Sequence, residues 1–225
     1  KLFEKINILI VRFSSIGDVL LTSPIVRALR KKFPNSNIDY ITTSQMRDII
    51  RFNPNINHVW TFDKSDSKED IRRLKSEILN KINANKYDVL VDLQNNLRSN
   101  LMLRGIAAKS FGVNKNRFFK LMLVHTKKKI KQASHVVDRY FDCASELGIM
   151  PDDYGLEIFG ETGEKIQRVH SDGATVKIGI AAGAQHFTKR WLPEHFTQLA
   201  ELIANKFEAE FQFFGSLPEQ GTVRQ

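Results

Sequence analysis

The 225 residues are 42% hydrophobic and 26% charged, with a net charge of +9, ordinary for a globular chain that fills one large domain or two modest ones. No run approaches the roughly 18 to 20 consecutive apolar residues that a membrane-spanning helix requires, and the first residues lack the apolar block and cleavage site of a secretory signal. The single cysteine, Cys143, excludes an internal disulfide framework and a cysteine-rich metal site; its readings are a small buried apolar residue or a reactive thiol.

In chain order, the β-branched run from Lys5 to Arg12 predicts a strand. It leads through Ser14-Ser15-Ile16-Gly17-Asp18 into a helical pattern that extends to Phe33, with Pro24 offering a second helix start. A strand follows at Ile38 to Thr42, a helix from about Gln45 to Phe52, a strand at His58 to Phe62, a helix from about Lys68 to Asn83 and a strand at Tyr87 to Leu93. A further helix opens near Asn96, and another spans about Ser134 to Leu147. Between them, from Arg98 to Lys131, lie ten Lys or Arg residues and no Asp or Glu. This segment accounts for the whole charge imbalance, either as a solvated face or as an attractive surface for an acidic partner.

Strands alternating with helices imply a parallel sheet covered on both faces. The expected first domain is 1–150. The turn-rich stretch 151–173 reads as a linker, and 174–225 opens a second unit with a strand at Val176 to Ala181, a helix from Pro193 to Lys206 and a strand at Glu210 to Phe214. Two strands and one helix cannot cover both faces of a parallel sheet, so the second unit is expected to be incomplete.

Three constellations fall where a strand gives way to a helix, the edge at which open parallel sheets bind ligands. In the first, Gly17 allows close backbone approach, Ser14 and Ser15 offer hydroxyls, and Asp18 presents a carboxylate. That carboxylate suits a general base, and equally a helix-capping charge. The second is Asp92 through Arg98, in which Gln94 meets a ligand or the asparagines merely cap a helix. In the third, Gly183, Ala184 and Gln185 precede Lys189, Arg190 and Trp191; small residues and two cations suit a phosphate, although the spacing is not that of a Walker loop and a dinucleotide fingerprint is absent. The six histidines show no metal-ligand spacing.

These residues carry a resemblance. Ile8 through Thr22 with Pro24, Tyr87-Asp88 with Val91 through Gln94, Gly179-Ile180-Ala181 with Gly183-Ala184, Lys189-Arg190-Trp191 and Phe213 through Ser216 resemble, in order, the ADP-heptose:lipopolysaccharide heptosyltransferases, glycosyltransferase family nine. The resemblance implies the GT-B arrangement of two Rossmann-like domains with parallel sheets. The first is expected to hold the acceptor and the second, apparently truncated, the nucleotide sugar.

It further implies inverting transfer of heptose or a related sugar from ADP-heptose to a lipopolysaccharide inner-core acceptor, with neither metal nor other cofactor. Asp18 is then the base, and Lys189 steadies the departing diphosphate, with Gly183, Ala184, Gln185 and Arg190 around it. The expected setting is cytoplasmic, peripheral to the inner membrane, with no nucleic-acid partner. Ser14, Ser15, Gly17 and Gln94, together with Arg98, Arg104, Lys109, Arg117 and Lys120 of the basic segment, are expected to face an acidic, lipid-linked saccharide or the anionic leaflet. The family's later Asp-Ser/Thr-Gly-x-x-His stretch does not occur in these residues. The alternative expectation is therefore a non-catalytic homologue that binds an acidic saccharide or a membrane surface.

Overall fold

The computed structural model describes residues 5–82, 84–114, 134–166, 175–183 and 187–215. The chain divides into two compact units, 1–166 and 167–225.

In the first unit, five parallel strands, β1 (Asn7–Val11), β2 (Asn37–Thr43), β3 (His58–Phe62), β4 (Tyr87–Asp92) and β5 (Ala107–Gly112), form one sheet in the order β3-β2-β1-β4-β5. The helices are α1 (Ile16–Leu20), α2 (Ser23–Lys32), α3 (Arg47–Ile50), α4 (Lys68–Lys81), α5 (Leu97–Met102) and α6 (Val136–Cys143). The period of two along each strand builds two cores. Ile8 and Ile10 of β1 face one side with Ile38, Tyr40, Val89 and Val91, under Ile25, Val26 and Leu29 of α2 and Tyr140 and Phe141 of α6. Leu9 and Val11 face the other with Ile41, Tyr87 and Leu90, under Ile78 of α4. Each fully buried aliphatic side chain stabilises the unit by about 1.5–3 kcal/mol.

Three local differences from expectation have physical causes. The helix expected to run to Phe33 is two helices. The first closes at Leu21, and α2 restarts with Pro24 in its first turn, where proline's missing N–H costs no bond. The strand β5 lay unrecognised inside the basic segment because, of its six residues, only Phe111 is buried while Ala108, Lys109 and Ser110 face solvent; such an edge strand shows no apolar alternation. The stretch 151–166, expected as part of a linker, packs on the first unit. Arg27 of α2 pairs with Asp152 and with Glu157, whose own amide donates to Ser23 Oγ at 2.9 Å, and Lys165 Nζ lies 3.0 Å from Glu157. The division accordingly falls at Ile166, beyond the expected end at 150.

The second unit holds the parallel pair β6 (Val176–Ala181) and β7 (Ala209–Phe214), joined by α7 (Pro193–Ala204). Ile180 is its buried residue in the described core, whereas Leu202, Phe207, Phe213 and Phe214 remain exposed.

Candidate functional site

The sheet order fixes where a site belongs. The chain runs outward from β1 to β2 and β3, then crosses to β4 on the other side of β1, so β1 and β4 flank the topological switch point. Loops leaving their carboxyl ends diverge there and open a crevice. Those loops are Arg12 through Ser15 and Leu93 through Asn96.

The two loops are tied together. Arg12 Nη1 donates to the Leu93 carbonyl at 2.7 Å, and the Phe13 amide donates to Gln94 Oε1 at 3.1 Å. Arg12 Nη2 lies 2.7 Å from Asp18 Oδ2. The same oxygen accepts from the Ser15 amide and the Ser15 hydroxyl, each at 3.1 Å. Asp18 thus supplies the acidic half of a capping box for α1 and keeps about a third of its side chain exposed. Burial on its own raises the Asp18 carboxyl. The Ser15 amide and the Arg12 guanidinium outweigh it and hold the group below the ordinary aspartate value, so the carboxylate is ionised at neutral pH. A Cβ at Gly17 would meet nothing within 4 Å, so this glycine leaves open space beside the carboxylate.

Behind the β4 loop, Asp92 is 4% exposed. Its Oδ1 accepts from the Gln94 and Asn95 amides at 2.9 and 2.7 Å, and its Oδ2 from Ser99 Oγ at 2.6 Å. Asn95 sits at φ +34°, a conformation that asparagine tolerates, and donates to the Val113 carbonyl at 2.8 Å. Asn96 caps α5, accepting from the Ser99 amide. A cavity of about 270 Å³ runs between α5 and the β4-β5 edge, lined by Asp92, Asn95, Ser99, Ser110 and Gly112 among others.

The expected site residues separate into groups. Ser14, Ser15, Gly17, Asp18 and Gln94 come together at the switch point. Arg98 lies at the same carboxyl edge, where its Nη2 donates to the Asp63 and Lys64 carbonyls at 3.2 Å and its guanidinium covers the Phe62 ring. Arg104 precedes β5, where its carbonyl accepts from Lys75, and it lines the cavity that Asp92 and Asn95 border behind the β4 loop. Lys109 is on the edge strand, paired with Glu146 at 2.8 Å. Arg117 and Lys120 lie outside the described residues, as do Ala184 and Gln185. In the second unit Gly183, Lys189 and Arg190 are exposed after β6, and Trp191 contacts the His195 and Phe196 rings.

Sequence reasoning assigned no role to Arg12 or Ser99. Arg12 ends an apolar strand, which marks it only in retrospect. Cys143 fits the quieter of its two readings: burial pushes the half-buried thiol up to about 12, and its Sγ donates to the Tyr140 carbonyl. Among the described residues no His, Cys, Asp and Glu cluster could hold a metal ion, and no helix is long and apolar enough to cross a membrane.

The first unit is a parallel, Rossmann-like α/β sheet with an ionised carboxylate at its switch point. Residues 75–224 match the model of glycosyltransferase family 9 (heptosyltransferase), well over half of the chain, and the chain belongs to that family. It is 24% identical over 214 residues to lipopolysaccharide heptosyltransferase 3 of Escherichia coli K12, covering 84% of this chain and 58% of that protein. It is 22% identical over 200 residues to the lipopolysaccharide core heptosyltransferase OpsX of Haemophilus influenzae, covering 87% and 56%. The chain thus spans little more than half the length of these relatives.

Among solved structures, a family 9 glycosyl transferase from Veillonella parvula superposes with a TM-score of 0.74 at 24% identity, covering 99% of this chain and 67% of that one. The E. coli heptosyltransferase WaaC, solved with ADP-2-deoxy-2-fluoro heptose, gives 0.72 at 18% identity, covering 97% and 72%. At these identities the likeness establishes the fold: α/β with parallel sheets, as in the GT-B heptosyltransferases.

Proposed function

We propose that the protein is an inverting glycosyltransferase that moves heptose, or a related sugar, from ADP-heptose to an inner-core lipopolysaccharide acceptor. The observation that carries this reading is the Asp18 carboxylate, ionised and half-open at the switch point of the sheet. Asp18 accepts the proton of an acceptor hydroxyl as the oxygen attacks the anomeric carbon. The bond from that carbon to the diphosphate breaks on the opposite face, and ADP departs carrying the electron pair.

Negative charge grows on the leaving diphosphate, and the exposed Lys189 ammonium after β6 is suited to it. Gly183, Ala184, Gln185 and Arg190 complete that donor loop. Ser14, Ser15, Gly17 and Gln94 border the acceptor, with Arg98 nearby to meet its acidic groups. The chemistry needs no metal or other cofactor, because a positioned base and a cationic leaving-group site supply both halves of the displacement. The acceptor's lipid anchor places the protein at the cytoplasmic face of the inner membrane as a peripheral protein.

The test is ADP release by the full-length protein with a heptose-deficient acceptor, beside its Asp18→Asn variant. Loss of a proton acceptor is expected to cut kcat by about 10²–10⁴ while the variant still binds ADP. A parent protein that binds acidic saccharide yet releases no ADP with any donor sugar would replace the transferase with a binding module.

A further inference from the structure

Arg12 is the last residue before the crevice, and its guanidinium is spent on two partners that belong to different loops. Nη2 meets Asp18 Oδ2 at 2.7 Å and Nη1 meets the Leu93 carbonyl at 2.7 Å. Its side chain is 12% exposed, against 33% for Asp18. The arginine is therefore the more deeply buried partner of the pair. We infer that Arg12 is a positioning residue that clamps Asp18 to the loop after β4, so that one planar fork sets the base and the Gln94 wall of the crevice relative to each other. The inference rests on Asp18 being the base.

The geometry explains why arginine suits the position. A guanidinium presents parallel donors in a rigid plane, so satisfying one partner fixes the direction offered to the other, whereas an ammonium on a flexible stem is a point charge. Among the described residues, the three contacts to Asp18 end on Oδ2, so Oδ1 is the oxygen that the proposal assigns to an incoming hydroxyl. A base must be held to a fraction of an ångström for the proton to move as the new bond forms. Arg12 also lowers the carboxyl, together with the Ser15 amide and against burial. Among the described residues, the other ionisable groups that sense Asp18 are Tyr40 of β2 and Tyr140 of α6, and burial keeps both phenols neutral. Arg12 is thus a cation that helps to keep the base ionised.

The experiment compares Arg12→Gln and Arg12→Lys in the full-length protein, with three readouts: kcat and KM for the acceptor, the pH profile of kcat, and the NMR titration of the Asp18 carboxyl carbon, which needs no turnover. In Arg12→Gln, kcat is expected to fall about 10- to 100-fold with KM for the acceptor little changed, since Arg12 lies below the surface the acceptor touches. Activity needs ionised Asp18 and is lost as pH falls through its pKa, so the acid limb, and the NMR titration with it, should move to higher pH.

Arg12→Lys should return the titration toward the parent and recover only part of kcat, because one ammonium cannot hold both Asp18 and the Leu93 carbonyl. A folded Arg12→Gln protein with the parental titration and parental kcat overturns the inference, as does an Arg12→Lys protein that titrates like Arg12→Gln. Failure of the base assignment has a different signature: Asp18→Asn would turn over normally whatever the Arg12 variants do.

Discussion

Each unit opens with a strand, a loop and a helix, and the two loops present their charge in opposite ways. After β1, the Asp18 carboxylate is held by Arg12 and Ser15, and the loop is braced by bonds to Leu93 and Gln94. After β6, Lys189 stands exposed beyond Gly183, and the aromatic contacts of Trp191 secure the start of the following helix instead. On the proposed reading, the difference follows from what each charge would be asked to do. A proton acceptor acts over one hydrogen bond and gains from fixed geometry; a cation answering a diphosphate acts through a longer-ranged field and tolerates a flexible stem. One position in the topology thus serves a pinned anion in the first unit and an open cation in the second.

The comparison breaks most visibly at Asp92, which anchors the β4 side of the pinned loop. Asp92→Ala would leave the Gln94 and Asn95 amides and the Ser99 hydroxyl without their shared acceptor in a buried setting. The expected loss is about 3 kcal/mol of unfolding free energy, read as a lower urea midpoint at unchanged slope. A loss below about 1 kcal/mol would show that the loop after β4 is held by something other than this carboxylate, and the contrast between the loops would lose its structural basis.

How far this contrast was legible in the sequence depends on which residues carry it. The strand ends, expected at Arg12 and Leu93 and found one residue earlier at Val11 and Asp92, and with them the edge on which Asp18 and Gln94 sit, follow from short β-branched runs. A local pattern suffices there, because strands and their loops are contiguous. The clamp on Asp18 was not legible. Arg12 reaches Leu93 across 81 positions, and nothing near either residue marks the other. The packing of the 151–166 stretch was hidden for the same reason: Arg27 meets Asp152 across 125 positions, and nothing in a segment rich in Gly and Asp marks that partner. The strand β5 was missed because its exposed edge suppresses the alternation that marks half-buried strands.

A smaller effect sharpens the other side of the comparison. Lys189 is exposed, so Lys189→Ala should alter stability by no more than about 0.5 kcal/mol. Removing a charge-assisted contact to phosphate should weaken ADP binding by about tenfold, measured by calorimetry on the full-length protein. Unaltered ADP affinity would detach Lys189 from the diphosphate, and a large loss of stability would mean that the second loop is pinned after all.

The smallest effect concerns the basic segment, whose one-sided charge is partly answered in the fold. Lys109 meets Glu146, which lies 37 positions later in a 3-10 turn after α6. Both side chains are more than half exposed, so Lys109→Gln should cost about 0.5 kcal/mol or less and should show little dependence on salt above physiological strength. Arg98 sits instead at the carboxyl edge, over Phe62, where the proposed function would bring an acidic acceptor to the pinned loop. In anisotropy measurements with an anionic saccharide at two salt concentrations, Arg98→Gln should therefore weaken binding while Lys109→Gln leaves it near the parental value. Equal weakening by the two would extend the acceptor surface along the β5 edge, and charge count rather than position relative to the switch point would then decide where the saccharide lies.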